Sequence, residues 1–515
     1  MNTYVYAPKD DVKHRACWRE LYSSVEEEQL RLLIENAKEH NILFVYALSP
    51  GLDIAYSSPK DRLALKNKLD QVKNLGDVFF ALFFDDIEPE LKAKDKEMFC
   101  SFAEAQVNVT NEVYEHLGKP KVFLFCPTEY CTSRAVPSVA QSEYLNVLGQ
   151  KLEPQIDIMW TGAKVISQTI EVEHIQELSQ VLKRKPVIWD NLHANDYDQK
   201  RLFLGPYSGR STKLKQHLNG ILTNPNCEYE ANFIAIYTLA RWAKCEKDCL
   251  DEDENVSIEE SSEVSQDSLL FHPRNALKEA ITEWIPEFYK VKSANFKPNH
   301  CRKPVLSFVS QTVYDSSANH SNTKVFLSPS SEEKIDVDDD NFSKTEDMEL
   351  ADASPRPPVT DDNLMTEKEV NKADTKSMMS VESDEEEMQT EIPNLDNDSI
   401  LTYEDVELLV DLFYLPYEHG NQGVKFLQEF QWLKLNGFLV SSYRSKKEEN
   451  VEDQTIKEWF ERAEKFNQMT VAISRLFTRL TFCNNRSLLY ELYPYIWDIK
   501  SVISLLNSYV KWIGN

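Results

Sequence analysis

The sequence has few of the features that mark secreted, membrane-spanning or nucleic-acid-binding proteins. It contains no N-terminal apolar segment of the signal-peptide type and no apolar run of about 18 residues, so we infer neither secretion nor a membrane span. Basic residues are scarce relative to acidic ones, with 57 Lys and Arg against 85 Asp and Glu and a formal net charge of −28. General binding to nucleic acid needs a basic surface, and this balance argues against it.

Patterns typical of metal sites and disulfide frameworks are also missing. Among nine cysteines, the close pairs are Cys126 with Cys131 and Cys245 with Cys249, and neither has CxxC spacing or a matching pair of histidines. We therefore expect free thiols in a reducing compartment. No HxxxH or comparable histidine grouping occurs, which leaves a metal hydrolase built on an aspartate cluster as a weak alternative.

The first half of the chain does contain a repeating alternation of short apolar stretches and longer amphipathic ones. The apolar stretches predict strands at Thr3–Tyr6, Ile42–Leu48, Val78–Phe84, Val122–Cys126, Ile156–Trp160, Pro186–Trp189 and Gly220–Thr223. Helical patterns lie at Val25–His40, Pro59–Leu75, Lys94–Leu117, Glu143–Leu152, His174–Leu182 and Tyr229–Ala243, with Ser24 and Ser58 expected to cap the first two. This α/β alternation, at roughly 30–40 residues per unit, predicts a (β/α)8-type catalytic barrel over residues 1–245. A closed barrel has eight strands, so we expect the first strand to be missing.

The third predicted strand ends in two adjacent carboxylates. The seven residues from Val78 to Phe84 are all apolar and run directly into Asp85 and Asp86. Such a run indicates a strand buried on both faces, and barrel enzymes keep their chemistry at the carboxyl ends of their strands. Successive strand residues point to opposite sides, so the two acids can take two roles. An Asp-Asp pair by itself more often begins a loop. The residues at the other strand ends must therefore decide between an ordinary loop and a catalytic pair.

The other predicted strands also end in polar residues. The endings are Lys9–Asp11, Ser49–Asp53, Pro127–Tyr130, Thr161–Gly162, Asp190–Asp196 and Thr223–Asn226. In a barrel these endings gather around one pocket. Acids and amides bind hydroxyl groups, and an aromatic side chain such as Tyr130 or Trp189 covers the apolar face of a sugar. The set therefore favours a carbohydrate ligand.

The second half of the chain alternates between acidic and helical segments. Residues 246–270 predict an acidic disordered insertion, and residues 292–397 predict a disordered acidic linker. Residues 271–291 predict a helix with a strong apolar face, which needs a surface to dock on. Residues 398–515 predict a helical bundle with helices at Tyr403–Phe413, Val424–Leu435, Ile456–Phe477, Ser487–Tyr493 and Ile496–Ile513. We expect the 271–291 helix to join this bundle.

Several stretches together resemble glycoside hydrolase family 84, the O-GlcNAcase family, which removes single N-acetylglucosamine units from Ser and Thr. The stretches are Asn2–Asp10, Phe84–Ile87, Phe125–Cys131, Val187–Asn191, His193–Arg201, Leu222–Cys227, Leu412–Gly420 and Tyr495–Lys500. The resemblance covers both ordered regions and fails only in the acidic segments. The set is specific, although no single motif carries it.

The resemblance implies a retaining mechanism in which the acetamide of the substrate is the nucleophile and forms an oxazoline. Asp85 would hold and polarise the acetamide N–H, and Asp86 would act as the general acid and then the general base. Neighbouring carboxylates can take different protonation states for such a division of roles. The resemblance further implies that Tyr130 and Asn191 bind the acetamide or oxazoline, that Lys9, Asp196 and Asn224 bind sugar hydroxyls, and that Trp189 lines the pocket. No metal or organic cofactor is expected.

The same resemblance makes the helical region a stalk domain that exchanges helices in a homodimer and covers the partner's cleft. Tyr495 and Trp497 match candidate contacts to the peptide part of the substrate, although packing within the bundle explains either residue equally well. Cytoplasmic and nuclear location, O-GlcNAc-modified protein substrates and no membrane or nucleic-acid partner are the corresponding expectations.

Two departures from the family pattern lead to an alternative. The Gly-rich first-strand motif and the C-terminal acetyltransferase-like domain are not found in this chain. We therefore expect a fragment, an alternative product or an incomplete gene model. The alternative function is that of a truncated, weakly active or inactive form that dimerises or binds glycoproteins.

Overall fold

Seven parallel strands form the centre of the N-terminal half of the protein. The structure, a computed structural model, describes residues 1–249, 270–293, 399–440 and 454–514. The strands are β1 (Thr3–Tyr6), β2 (Leu43–Leu48), β3 (Val78–Phe83), β4 (Phe123–Cys126), β5 (Asp157–Trp160), β6 (Val187–Asp190) and β7 (Gly220–Thr223). They pair in chain order and in parallel, with β1 and β7 as the edges of the sheet in the described part of the chain. The predicted seven-stranded, barrel-type α/β sheet is confirmed.

Helices follow most of the strands. They are α1 (Ser24–Glu39), α2 (Pro59–Lys73), α3 (Ala93–Met98), α4 (Phe102–His116), α5 (Glu143–Lys151), α6 (Val172–Leu182) and α7 (Phe233–Lys244). Ser58 caps α2, with Pro59 at its first position, as predicted. The cap of α1 is Ser23 rather than the predicted Ser24, because Ser23 and Glu26 form a reciprocal capping box.

The two faces of β3 pack into different cores. Phe80, Leu82 and Phe84 belong to the larger core, which the sheet shares with the surrounding helices. Phe79, Ala81 and Phe83 belong to a smaller core made almost entirely of strand residues. The smaller core therefore marks the inner side of the curled sheet. Burial of a phenylalanine contributes about 1.5–3 kcal/mol, so this strand is a fixed base for the residues that follow it.

The C-terminal helices form a second core. The helices are α8 (Pro273–Trp284), α9 (Tyr403–Leu412), α10 (Asn421–Leu435), α11 (Gln454–Thr481) and α12 (Arg486–Gly514). Ala280, Ile281 and Trp284 of α8 share one buried cluster with Leu409 of α9 and with residues of α10, α11 and α12. This segment therefore packs against the helices that follow it in the chain. None of the helices in the described ranges is long and apolar enough to cross a membrane.

Two helix predictions are wrong. The single helix expected over Lys94–Leu117 is interrupted at Phe99, which has an extended backbone, and Ser101 caps α4 by accepting a hydrogen bond from the Glu104 N–H. Conversely, Ser487–Tyr493 and Ile496–Ile513 are parts of one helix, α12, with Pro494 inside it. A proline costs a helix interior about 3 kcal/mol, but Leu492 and Ile496 on either side of Pro494 are both buried, and their packing outweighs that cost.

The predicted acidic segments fall mostly outside the described residues. Of the 246–270 segment, Lys247–Asp248 (β8) pairs in parallel with Leu270–Phe271 (β9), and residues 250–269 lie outside the described part. The disorder predicted for residues 292–397 also falls outside it, apart from residues 292 and 293.

Candidate active site

The two adjacent carboxylates lie where the inner face of the sheet opens. The Phe84 N–H donates a 2.9 Å hydrogen bond to the Cys126 carbonyl, which extends the β3–β4 pairing by one residue. Alternation from Phe83 then directs Asp85 to the inner side of the sheet. Asp86 has a φ of 49°, a left-handed conformation that aspartate tolerates better than most residues. The chain therefore turns sharply at Asp86, and the two acids reach different surroundings.

Asp85 is held by an arginine from the loop after β1. Arg15 Nη1 lies 3.2 Å from Asp85 Oδ2, and Nη2 donates to the backbone carbonyls of Asp85 at 3.1 Å and Asp86 at 3.4 Å. The other carboxylate oxygen, Asp85 Oδ1, is buried and has no hydrogen-bond partner among the described residues. A buried acceptor of this kind is costly unless a ligand satisfies it. Asp85 is thus suited to accept an N–H from a bound molecule.

Asp86 is more exposed and is held from the β4 side. Its Oδ1 accepts hydrogen bonds from the Tyr130 hydroxyl at 2.8 Å and from Arg134 Nη2 at 2.9 Å. The Arg134 guanidinium also lies over the Tyr130 ring, 4.7 Å from its centre. Burial and the charge of Asp86 raise the pKa of Tyr130, so the phenol keeps its proton and remains a donor. Asp86 can therefore exchange a proton with a group that approaches from solvent.

The wall between these acids and β6 is aromatic. The centre of the Trp189 ring lies 5.1 Å from that of the Phe83 ring. Phe83 belongs to the smaller core on the inner side of the sheet, and Trp189 packs against that core. Cys126 belongs to the same core, and burial, with the charges of Asp85 and Asp86, raises the pKa of its thiol well above the ordinary value. A neutral, buried thiol is a poor nucleophile. The carboxylates are therefore the reactive groups on this side of the pocket.

An amide pair lies at the ends of β6 and β7. Asn224 Nδ2 donates to Asn191 Oδ1 at 3.1 Å, and Asn191 Nδ2 donates to the Val165 carbonyl at 2.8 Å. The Asn224 N–H also donates to the Asp190 carbonyl at 2.8 Å. Two of the predicted sugar-binding residues are therefore brought together, and each amide retains further hydrogen-bonding capacity for hydroxyls or an acetamide.

A buried ion pair supports this amide pair. Asp190 accepts two 2.8 Å hydrogen bonds from Arg210 and one of 3.0 Å from the Tyr207 hydroxyl. Burial alone would raise the pKa of the Asp190 carboxyl, but the charge and hydrogen bonds of Arg210 outweigh it, and the pKa lies below its ordinary value. The carboxylate is therefore ionised and occupied, so it orients the backbone that carries Asn191 and takes no part in binding.

The remaining predicted residues lie at the rim and in the helical region. Lys9 forms an ion pair with Asp196, and its side chain is 80% exposed. The Tyr495 hydroxyl donates to Glu228 in the loop after β7, which places it between the bundle and the sheet. Trp497 is 48% exposed and stacks on Tyr493. Packing in the bundle core thus does not explain Trp497, and its peptide contact stays a prediction.

Three arginines of the site were missed by the sequence analysis. Arg15, Arg134 and Arg210 each hold an aspartate at the end of a strand, at sequence separations of 70, 48 and 20 residues. No local sequence pattern predicts a pairing between residues so far apart in the chain. Within the described ranges, His, Cys, Asp and Glu do not gather in any group that could hold a metal ion.

Comparisons with known proteins find relatives of this chain. Residues 1–272 match a family model described as beta-N-acetylglucosaminidase. The whole chain aligns with proteins named Protein O-GlcNAcase from Rattus norvegicus, at 44% identity, and Mus musculus, at 45% identity. Each alignment covers 100% of this chain and 63% of the relative, so the chain spans less than two thirds of their length.

A solved structure with the same fold is that of a mutant O-GlcNAc hydrolase from Thermobaculum terrenum. The TM-score is 0.63 at 20% sequence identity, and the match covers 99% of this chain and 77% of that chain. At this identity the likeness concerns the fold: a barrel-type sheet followed by helices.

Proposed function

The chain belongs to the beta-N-acetylglucosaminidase family, and we propose that it hydrolyses O-linked N-acetylglucosamine from Ser and Thr of proteins. The observation that carries this proposal is the arrangement of Asp85 and Asp86. One has a buried oxygen without a donor among the described residues, and the other is open to solvent and sits under a phenol donor. The names of the rodent relatives support the substrate class.

The proposed first step uses the acetamide of the sugar as the nucleophile. Asp85 Oδ1 accepts the acetamide N–H, which increases the electron density on the acetamide oxygen. That oxygen forms a bond to the anomeric carbon while the bond from this carbon to the Ser or Thr oxygen breaks. Asp86, protonated at this stage, gives its proton to the leaving oxygen. The products of the step are the free hydroxyl of the polypeptide and the protonated oxazoline (oxazolinium) on the sugar, whose N–H stays hydrogen-bonded to the Asp85 carboxylate.

The second step reverses these roles. Asp86, now ionised, takes a proton from water, and the hydroxyl oxygen bonds to the anomeric carbon as the oxazoline opens. Two inversions at one carbon retain the configuration. Tyr130 donates to Asp86, and we propose that it transfers this hydrogen bond to the acetamide or oxazoline when the sugar binds. Asn191 is proposed to bind the same group, Asn224, Lys9 and Asp196 to bind hydroxyls, and Trp189 to cover the sugar ring.

The test is hydrolysis of an aryl N-acetyl-β-glucosaminide. We expect turnover that Asp86→Asn reduces about 10²–10⁴-fold, the usual contribution of a general acid or base, with unfolding by urea unchanged. The first sugar product seen by NMR is expected to be the β-anomer. An α-anomer as first product contradicts the oxazoline mechanism, and loss of activity with a chelator would instead favour a metal hydrolase.

The open sheet favours a second candidate function. β1 and β7 are unpaired edges among the described residues, so one side of the pocket is less enclosed than in a closed barrel. A glycoprotein-binding form with little turnover is therefore the alternative. It predicts that N-acetylglucosamine-modified peptides bind but are not hydrolysed, whereas the first candidate predicts both.

A homodimer formed through the helical region, and a cytoplasmic and nuclear location, are further parts of the proposal. Exposed apolar side chains along α12, including Leu505 at 70% and Trp512 at 73% exposure, support an interface there. Light scattering of the purified chain measures the dimer, and fluorescence imaging of the tagged chain measures the location.

A further inference from the structure

Arg134 occupies a position that the proposed mechanism does not use. It ends the short 3-10 helix Thr132–Arg134 in the loop after β4. Its Nη2 lies 2.9 Å from Asp86 Oδ1, while 30% of its side chain remains exposed. In the proposed first step Asp86 gives its proton to the leaving oxygen, and the step assigns this guanidinium no role. The position of Arg134 beside Asp86 therefore needs an explanation other than support of that step.

The geometry around Asp86 indicates which part of a substrate Arg134 meets. The hydrogen bonds from Tyr130 and Arg134 both fall on Oδ1, so Oδ2 is the oxygen that can approach the glycosidic oxygen. The leaving group on that oxygen is the polypeptide. The Asp86 side chain is 58% exposed and that of Asp85 is 16% exposed. Groups on the exposed side of Asp86 therefore contact the polypeptide, and those beside Asp85 contact the sugar.

We infer that Arg134 is a specificity-determining residue that favours polypeptides with Asp or Glu beside the glycosylated Ser or Thr. This inference rests on the proposed function, since it needs a polypeptide leaving group at Asp86. A guanidinium carries five N–H donors in a planar fork, and it binds carboxylates with two of them at once. A carboxylate of the polypeptide can thus bind the Arg134 guanidinium, which is 30% exposed beside Asp86.

Neighbouring charges make the inference specific to this side chain. Arg15 is directed to Asp85 and to two backbone carbonyls, on the sugar side. Arg134 binds the more exposed of the two carboxylates, Asp86, where the polypeptide leaves. Of these two arginines, Arg134 is therefore the one placed to meet a charge on the polypeptide.

The experiment compares two glycopeptides that differ only in Glu or Gln next to the glycosylated Ser. For the unmodified chain we expect kcat/KM to be about two- to fivefold higher for the Glu peptide, the range of a partly exposed ion pair. Arg134→Gln is expected to bring this ratio to about one, and Arg134→Lys to retain most of it. The ratio is the readout because absolute rates also change when a neighbour of Asp86 is replaced.

A neutral aryl N-acetyl-β-glucosaminide separates this inference from the proposed function. If the unmodified chain hydrolyses it and the Glu-to-Gln ratio is the same with Arg134 and with Arg134→Gln, the inference is overturned and the function stands. If the chain does not hydrolyse it, the proposed activity fails. The inference is then tested by binding: the Glu and Gln glycopeptides are made with a sulfur in place of the glycosidic oxygen, and the ratio of their dissociation constants is compared between the unmodified chain and Arg134→Gln. A preference for the Glu peptide that decreases as the salt concentration rises from about 0.05 M to about 0.5 M supports the inference, because salt screens interactions between exposed charges.

Discussion

The ends of β3 and β6 each carry an aspartate paired with an arginine, but the two pairs differ in burial and in the number of hydrogen bonds. Asp190 and Arg210 are both 1% exposed and share two hydrogen bonds. Asp86 and Arg134 are 58% and 30% exposed and share one. The buried pair fixes the backbone that carries Asn191, whereas the exposed pair can be broken at little cost. The pocket therefore has a fixed side at the end of β6 and an adaptable side at Asp86.

The largest effect is expected on the fixed side. Arg210→Met leaves the Asp190 carboxylate buried without a cation, with the Tyr207 hydroxyl and the Leu192 N–H as its donors. Removal of one member of a buried ion pair costs about 3–5 kcal/mol. Urea unfolding of the variant measures this loss. Arg134→Met is the matched control, since an exposed pair contributes about 1 kcal/mol or less. Equal losses in the two variants would remove the distinction between the two sides.

The buried aspartate also shows how far the sequence alone leads. Asp190 and Asn191 look alike there, as polar residues at the end of an apolar strand, and both were placed at the pocket. The structure separates them, because a guanidinium 20 residues later reaches Asp190 and leaves Asn191 for the pocket. The strands were predictable because burial on both faces makes them continuously apolar. The arginine partners were not, since they depend on loops whose paths no periodicity encodes.

The helix boundaries teach the same lesson on a local scale. Ser101 begins a new helix, α4, through a capping hydrogen bond worth about 1 kcal/mol, although the apolar periodicity runs through this position without a break. Pro494 fails to end another, although proline is the stronger breaker. Periodicity predicts which face of a helix is buried, and the balance of capping and packing determines where the helix ends.

A pH-dependent effect of intermediate size is expected beside the same fixed strand. His193 is buried, its Nε2 lies 2.9 Å from the Gly205 carbonyl, and burial lowers the pKa of its imidazole to about 4. In the unfolded chain the imidazole has a pKa of about 6.5. The unfolded state therefore binds a proton first as the pH falls. The free energy of unfolding should decrease between about pH 6.5 and pH 4, by about 2–4 kcal/mol from this residue.

Urea unfolding at a series of pH values measures this contribution. In His193→Gln, which retains a donor for the Gly205 carbonyl, the decrease between pH 6.5 and pH 4 should be smaller by the same amount. At pH 8 the imidazole is neutral in both states, and the difference between the two proteins should reflect packing alone. If the free energy of unfolding of the variant falls with pH as steeply as that of the unmodified chain, His193 is not kept neutral by burial.

The smallest effect is expected where the sugar side of the pocket meets the adaptable side. Arg15 contacts the Asp85 carboxylate and the carbonyls of both Asp85 and Asp86, so in the proposed reaction we expect it to position Asp85. Arg15→Gln should lower kcat for an aryl N-acetyl-β-glucosaminide about tenfold, a cost of about 1.4 kcal/mol in the transition state. KM should change by less than about twofold, because the proposed ligands of the sugar hydroxyls are other residues.

A thiazoline analogue of the oxazoline distinguishes positioning from general loss of structure. If Arg15 orients Asp85 toward the ring nitrogen, Arg15→Gln should weaken binding of the thiazoline by about the same factor as it lowers kcat. Binding of plain N-acetylglucosamine should weaken less, and Arg15→Lys should recover part of both losses by restoring the charge. Equal weakening for the thiazoline and the sugar would instead mean that Arg15 stabilises the loop after β1. Asp85 would then be positioned by the backbone turn at Asp86.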